Sequence, residues 1–274
     1  MEQPTLSVII VTWNGRELLR NCLRTVVRGL TPDPWSLTPE LIVVDNASTD
    51  GSAEMVRREF PDAQVIVNAE NVGFARANNQ GIRVSRGRYV LLLNNDTLVP
   101  SGALEALVAF MEAHGDAGAV CPRLRRPDGT PQPFAFGGDP TLGYLLRRGI
   151  NRLIFRRSLH DWATDAIQLV NWVSGACLLA RREAIDRAGL LDEAIFMYFE
   201  DNDWCLRIRQ AGWRVYYNPQ VAITHIGGQS LARNPAARRA YYESLRYFYR
   251  KHYGPRALAV LNLCLPFYRI FPRP

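Results

Sequence analysis

Asp45, Asp96, the Glu200-Asp201 pair and His225 share one circumstance: each lies just past a short apolar run. The run before Asp96, Tyr89-Val-Leu-Leu-Leu93, has no polar alternation and stops abruptly at Asn94-Asn95-Asp96. A carboxylate in an oxygen-rich turn can hold a divalent cation, and the cation can hold a diphosphate. The same residues also make a capped turn ahead of a helix at Ser101, because Asn and Asp favour turns. Asp45 opens Asp-Asn-Ala-Ser-Thr-Asp-Gly51, where every residue is small or a turn former, so an Asx-turn is its alternative role. Glu200, Asp201 and Asp203 fall where a helix begins, and the helix dipole alone accounts for acids at an amino end. Asp203 and Arg207, four apart, are expected to pair on the surface. His225, before Ile-Gly-Gly-Gln-Ser230, is open to reading as a ligand or as a structural histidine.

Positioning these groups requires alternating strands and helices. Leu6–Val11 is an apolar run broken at Thr12-Trp-Asn-Gly15, and Leu18, Leu19, Cys22, Leu23, Val26 and Val27 then fall on one helical face. After a Pro-rich loop from Thr31 to Pro39 come strand Leu41–Val44, helix Ala53–Phe60, strand Gln64–Val67, helix Phe74–Val84 and the run at 89–93. Helix Leu104–Met111 and strand Ala117–Cys121 close this half. Parallel strands need crossover helices, so the succession predicts an α/β fold with a doubly wound, mostly parallel sheet, whose ligands lie beyond the strands' carboxyl ends. Pro122–Gln168 shows weak periodicity and reads as a long irregular stretch, which in a compact domain is functional or mobile. Order returns at Leu169–Leu179 and in helix Arg182–Ala188, followed by the helix opened by Glu200-Asp201 and by two short strands, Arg214–Tyr217 and Val221–Thr224. The expected division is residues 1–121 as a ligand-binding half, 122–234 as the second half of the same domain, and 235–274 as a basic amphipathic helix and tail.

The 274 residues suffice for one large domain, with 47% hydrophobic and 22% charged residues. Five scattered cysteines argue for a reducing compartment and against a zinc or disulfide scaffold. An apolar run beginning at Leu6 leaves no room for a signal peptide, and no stretch approaches the roughly 20 apolar residues of a spanning helix. The expectation is a cytoplasmic protein. No Gly-x-Gly-x-x-Gly follows the first strand and no Gly-Lys-Ser/Thr loop occurs, which removes the best support for hydride transfer and P-loop hydrolysis. The net charge of +7 is concentrated: eight arginines lie between Arg123 and Arg157. Such patches attract nucleic acids, anionic lipid or phosphorylated substrates, or simply face solvent. No nucleic-acid recognition motif accompanies them, so nucleic acid is not expected as a partner.

In this order the chain carries Ser7-Val-Ile-Ile-Val-Thr-Trp-Asn14, Val43-Val-Asp-Asn-Ala-Ser-Thr-Asp-Gly-Ser52, Asn71-Val-Gly-Phe-Ala-Arg-Ala-Asn-Asn79 and Leu92-Leu-Asn-Asn-Asp96. Ser174-Gly-Ala176, Tyr198-Phe-Glu-Asp-Asn-Asp203 and His225 follow. Together, over roughly residues 5 to 230, these blocks resemble the family 2 glycosyltransferases of the GT-A fold, the branch that includes bacterial rhamnosyltransferases. The resemblance implies a donor side lined by Thr12, Asn14, Asp45, Phe74, Asn78, Asn94 and Asn95, and a divalent metal, Mn or Mg, at Asp96 and His225. Asn94 and Asn95 stand where many members carry acids, so the metal would be weakly held. An imidazole ligand suits Mn better than Mg. Asp201 would be the general base of an inverting, in-line displacement, with Trp172, Ser174, Gly175 and Glu200 shaping the acceptor side.

The function implied is transfer of a sugar from a nucleotide-sugar donor, dTDP-rhamnose first and a UDP-sugar as alternative, to a cell-surface glycan or lipid-linked glycan precursor. A non-catalytic nucleotide- or glycan-binding module on the same fold is the competing class. A processive synthase fits poorly, for want of Gln-x-x-Arg-Trp and membrane helices. Near the carboxyl end Tyr241, Leu245, Phe248 and His252 form one stripe beside Arg238, Arg239, Arg246 and Arg250. This pattern is expected either to contact an anionic membrane on its inner face or to pack on the domain. The tail Ala257–Phe271 reads as apolar and broken by Pro266.

Overall fold

The computed structural model describes residues 4–29, 39–227 and 235–270. The Pro-rich loop at 30–38, Gly228 and the rest of the stretch to Asn234, and Phe271 lie outside the described residues. In chain order the first elements are β1 (Leu6–Thr12), α1 (Arg16–Arg28), β2 (Glu40–Asp45), α2 (Ser52–Glu59), β3 (Gln64–Val67), α3 (Phe74–Val84) and β4 (Tyr89–Asn94). Then come β5 (Thr97–Leu98), α4 (Ala103–Ala113), β6 (Ala117–Arg125), β7 (Phe136–Gly137), α5 (Leu142–Ile154), β8 (Gln168–Leu169) and β9 (Trp172–Val173). The chain continues with β10 (Cys177–Arg181), α6 (Arg182–Ala188), α7 (Glu200–Gln210), β11 (Arg214–His225), α8 (Pro235–His252) and α9 (Gly254–Ile270).

The main sheet runs β3-β2-β1-β4-β10-β6-β11-β5, with β8 alongside β11. From β3 to β4 it is parallel. β10 then enters antiparallel between β4 and β6, and β6 and β11 resume parallel pairing. Val8, Ile9, Val43, Val90 and Leu91 are wholly buried between helix layers, which is why these strands read as unbroken apolar runs. A small second sheet pairs β7 with β9.

Four expectations are corrected. The two strands expected at 214–224 are one strand, β11, whose register against β6 slips between Asn218 and Ala222. The slip lies opposite Pro122 and contains Pro219, and prolines without an N–H interrupt a ladder while still reading as a turn in sequence. The stretch 122–168 is not all irregular: α5 occupies Leu142–Ile154, started by Thr141, whose side chain accepts from Tyr144 N. No residue of α5 is buried, so its pattern lacked the core-facing signal. The tail is helical through Pro266, whose ring is exposed.

Of the two roles expected for the α8 stripe, packing on the domain is the one the structure shows. The stripe is turned inward: Leu245 and Phe248 are buried, and with Tyr241 they pack among Phe199, Leu142, Leu145 and Leu206. That face is therefore taken by the domain and is not available to a membrane. The fourth correction is Asp203, which is no surface residue. It is fully buried and takes Arg207 Nε at 2.8 Å, Lys251 Nζ at 2.6 Å and His252 Nε2 at 2.7 Å, fastening α8 to α7.

Candidate active site

The carboxyl ends of β1, β2 and β4 stand side by side, with Thr12 opposite Asp45 and Val11 opposite Asn94 in register. Thr12 and Asp45 are each 1% exposed. Asp45 Oδ1 accepts from Ser48 N at 2.8 Å, so the Asx-turn is present, and it occupies only one of the two carboxylate oxygens among the described residues. Asn14 sits in a left-handed conformation at φ 50° and ties the loops together, its Oδ1 accepting from Thr49 N at 2.8 Å. Asn95 Nδ2 donates to Thr12 Oγ1 at 2.9 Å. A Cβ on Gly15 would stand 2.5 Å from that amide nitrogen, so a larger residue there would push the Asn95 amide off Thr12. Trp13, 59% exposed between Thr12 and Asn14, offers a large aromatic face that the sequence reading passed over.

The metal candidates meet where β5 pairs with β11, His225 facing Thr97 in register. His225 Nε2 lies 3.1 Å from Asp96 Oδ1 and 3.3 Å from Asn94 Nδ2. Its Nδ1 is 2.9 Å from Gln132 Oε1, and Gly227 N donates to Asp96 Oδ2 at 3.1 Å. Burial works to raise the Asp96 pKa, but the His225 bond and charge and the Gly227 N–H outweigh it and hold the carboxyl below its ordinary value. In the tautomer that donates Nδ1–H to Gln132, the Nε2 lone pair faces Asp96 Oδ1 and Asn94 Nδ2, and a proton or a cation between Nε2 and Oδ1 would relieve the repulsion of the two acceptors. Ligands about 2.1 Å from a small cation at right angles stand about 3 Å apart, so the pair fits one. Among the described residues no group of three or more His, Cys, Asp or Glu gathers to hold a metal. Asp96 and His225 alone could fill only part of a coordination shell, leaving the remaining positions to ligands from outside the chain. Gln132 was missed in sequence because it lies in a stretch without periodicity.

Asp201 opens α7. Its Oδ2 accepts from Gly175 N at 3.1 Å and its Oδ1 from Asn202 N at 2.8 Å. Burial raises its pKa above the ordinary carboxylate value despite these bonds. Glu200 is raised as well, by burial first and then by the Asp201 charge; it is 7% exposed and its Oε2 has no partner among the described residues. A Cβ on Gly175 would stand 3.4 Å from the Phe74 ring and 3.9 Å from Asp201 Cβ, so β10's approach, α3's start and α7's start meet at one spot. Asn94 N donates to Ala176 O at 3.0 Å, joining that spot to the Asp96 turn. Asn78, 1% exposed, is turned onto its own helix, donating to Phe74 O at 2.9 Å. Ser174 Oγ accepts from Ala176 N at 3.3 Å, and Trp172 Nε1 donates to Gly138 O at 2.9 Å, bracing the turn before β10. The segment before α7 is strained: Tyr198 and Phe199 have φ of 66° and 68°, and Ser244 Oγ of α8 donates to Met197 O at 2.8 Å to hold it.

Residues 7–167, more than half of the chain, match the family described as Glycosyl transferase family 2, and residues 89–261 match Glycosyl transferase family group 2. An N-acetylglucosaminyl-diphospho-decaprenol L-rhamnosyltransferase of Mycobacterium tuberculosis is 29% identical over 89% of this chain and 83% of its own length. The rhamnosyltransferase WbbL of Escherichia coli is 28% identical over 56% of this chain and 60% of its own. Among solved structures, S. aureus TarS 1-349 in complex with UDP superposes with a TM-score of 0.61 at 18% identity, covering 94% of this chain and 66% of that one.

Proposed function

The chain belongs to glycosyltransferase family 2, an enzyme of GT-A fold that transfers sugars with inversion, and we propose that its donor is dTDP-rhamnose and its acceptor a lipid-linked glycan precursor. The rhamnosyl-transferring relatives support the donor, and the diphospho-decaprenol named for the mycobacterial one supports the acceptor. The observation that carries the site is the convergence of Phe74, Gly175 and Asp201 beside the Asn94–Asp96 turn.

In this reading Asp45 and Thr12, with Asn14 and Asn95, receive the base and ribose at the buried ends of β1 and β2. Phe74 lies over the sugar side, with Asn78 holding its turn. Asp96 and His225, aligned by Gln132 and Asn94, would hold a divalent cation, and the chemistry it would supply is neutralisation of the charge developing on the leaving diphosphate. Asp201 takes the proton of the acceptor hydroxyl while that oxygen bonds to the anomeric carbon. The bond from that carbon to the diphosphate oxygen breaks on the opposite face, and the nucleoside diphosphate leaves. The elevated pKa makes Asp201 a better proton acceptor than an ordinary carboxylate, provided the pH keeps it ionised. The backbone N–H groups of Gly175 and Asn202 fix its direction. Trp172, Ser174 and the buried Glu200 shape the acceptor side.

A thermal-shift series with thymidine and uridine diphosphates, with and without Mn, followed by transfer assays with the matching sugars, tests this. Stabilisation and turnover with dTDP-rhamnose are expected. Turnover with a UDP-sugar alone would replace the donor, and no nucleotide-dependent shift at all would refute the reading of the site.

A further inference from the structure

Beside the catalytic half, α5 and the segment after it enclose a cleft of about 340 Å³ that no step above uses. Arg148, Arg152, Arg156 and Arg157 line it, with Tyr144 and His160. None of these four arginines faces a carboxylate among the described residues. Of the acids in the flanking segments, Asp139 pairs with Arg209 Nη2 at 2.6 Å, Asp165 pairs with Arg123 Nη2 at 2.6 Å, and Asp161 accepts from Ala163 N at 2.9 Å. The floor is aromatic: Phe134 and Trp162 lie 5.0 Å apart between centroids, and the Arg148 guanidinium sits 5.0 Å over Phe134. The surplus of positive charge is felt by His160, whose pKa is lowered by burial first and then by Arg148 and Arg147.

Outside the cleft the same helix carries an apolar ridge. Leu146, Ile150 and Leu153 follow at steps of four and three, and Ile154 and Phe155 continue it. Leu146, Ile154 and Phe155 are 66%, 69% and 61% exposed. α9 packs against α5 and itself exposes Val260 and Leu263. Large apolar side chains gathered in water mark a surface that something covers. One strip of chain joins this region to the active site. Gln132 bonds His225, Phe134 lines the cleft, and Ala135 O accepts from Ser174 N at 2.9 Å, next to the Gly175 that holds Asp201.

We propose that the arginine cleft seats the diphosphate of a lipid-linked acceptor, with the hydrocarbon chain along the Leu146–Phe155 ridge and the sugar reaching over the Phe134 strip toward Asp201. Guanidinium forks match phosphate oxygens in pairs, and a diphosphate on a hydrocarbon chain satisfies both the arginines and the adjoining apolar ridge. The proposal rests on the lipid-linked acceptor argued above and deepens it by giving the acceptor's head and chain separate seats.

The test is binding of farnesyl diphosphate to the full chain, followed by tryptophan fluorescence, with inorganic diphosphate, farnesol and thymidine diphosphate as comparisons. Farnesyl diphosphate is expected to bind more tightly than either inorganic diphosphate or farnesol, and without displacing thymidine diphosphate. Arg152→Ala with Arg156→Ala should weaken it about tenfold or more, and Leu153→Ser with Phe155→Ser should reduce it to the level of inorganic diphosphate. Thymidine diphosphate binding should stay unchanged in all variants, which also reports that they are folded. Failure of thymidine diphosphate to bind wild type strikes the donor reading and leaves this one to its own measurement. Displacement of farnesyl diphosphate by thymidine diphosphate, equal binding of inorganic and farnesyl diphosphate, or unweakened binding by the arginine variant would overturn it. So would variants that lose only phosphatidylglycerol vesicles, since the patch would then be a membrane face.

Discussion

Replacing Asp203 by Asn removes the charge at the centre of the α7–α8 junction. Burial alone would raise this carboxyl, but the His252 bond, the Arg207 charge and Lys251 outweigh burial and hold it at about 2, against an ordinary 3.8. That difference corresponds to roughly 2 kcal/mol of stability, at ~1.36 kcal/mol for each pH unit. The sign follows from the direction. The folded value lies below the unfolded one, so the stability is complete above about pH 5 and is lost as pH falls through 3.8 toward 2. Breaking a buried ion pair costs roughly 3–5 kcal/mol. The side chains of Lys251 and Arg207 are 28% and 17% exposed, so stranded partners can reach water and the cost belongs at the low end, about 3 kcal/mol. Urea unfolding at neutral pH should show that loss for Asp203→Asn. Between pH 5 and 2 the variant should lose about 2 kcal/mol less than wild type. Turnover should fall too, although Asp203 touches no substrate. Without a docked α8, Ser244 no longer holds Met197, and the strained Tyr198–Phe199 turn that aims Asp201 can relax. A variant within about 1 kcal/mol of wild type and equally acid-sensitive would refute the reasoning.

Asp201→Asn should bind nucleotide and metal nearly as wild type does yet transfer sugar about a hundredfold or more slowly, measured as single-turnover rates, with Glu200→Gln milder. Transfer by wild type should rise with pH through a value above the ordinary aspartate one, because burial lifts Asp201 and it must be ionised to act; a rate flat from pH 4 to 7 would count against it. In thermal-shift titrations Asp96→Ala should abolish the Mn-dependent part of nucleotide stabilisation and His225→Ala should weaken it, and retention in both would put the cation elsewhere. Gly15→Ala should weaken nucleotide binding, read by calorimetry, because its Cβ would displace the Asn95 amide from Thr12.

The sequence by itself determined the sheet and the ends of its strands. Doubly buried parallel strands require unbroken apolar runs, so β1, β2 and β4 and the polar groups that end them were visible from local composition. The recurring blocks likewise carried the family. Tertiary structure decided which of those polar groups meet. Gln132 aligns His225 across 93 positions of chain, and Gly175 holds Asp201 across 26, pairings that no spacing rule encodes. It also decided the two amphipathic helices. α8 reads equally as membrane-contacting or as packed on the domain, and its stripe is buried because Asp203 and the aromatic cluster around Phe199 receive it. α5 only half-buries Leu142 and Leu145, while Leu146, Ile154, Phe155 and its arginines are left outside the core. A sequence fixes which face of a helix is apolar, but what covers that face depends on neighbours brought together only by the fold.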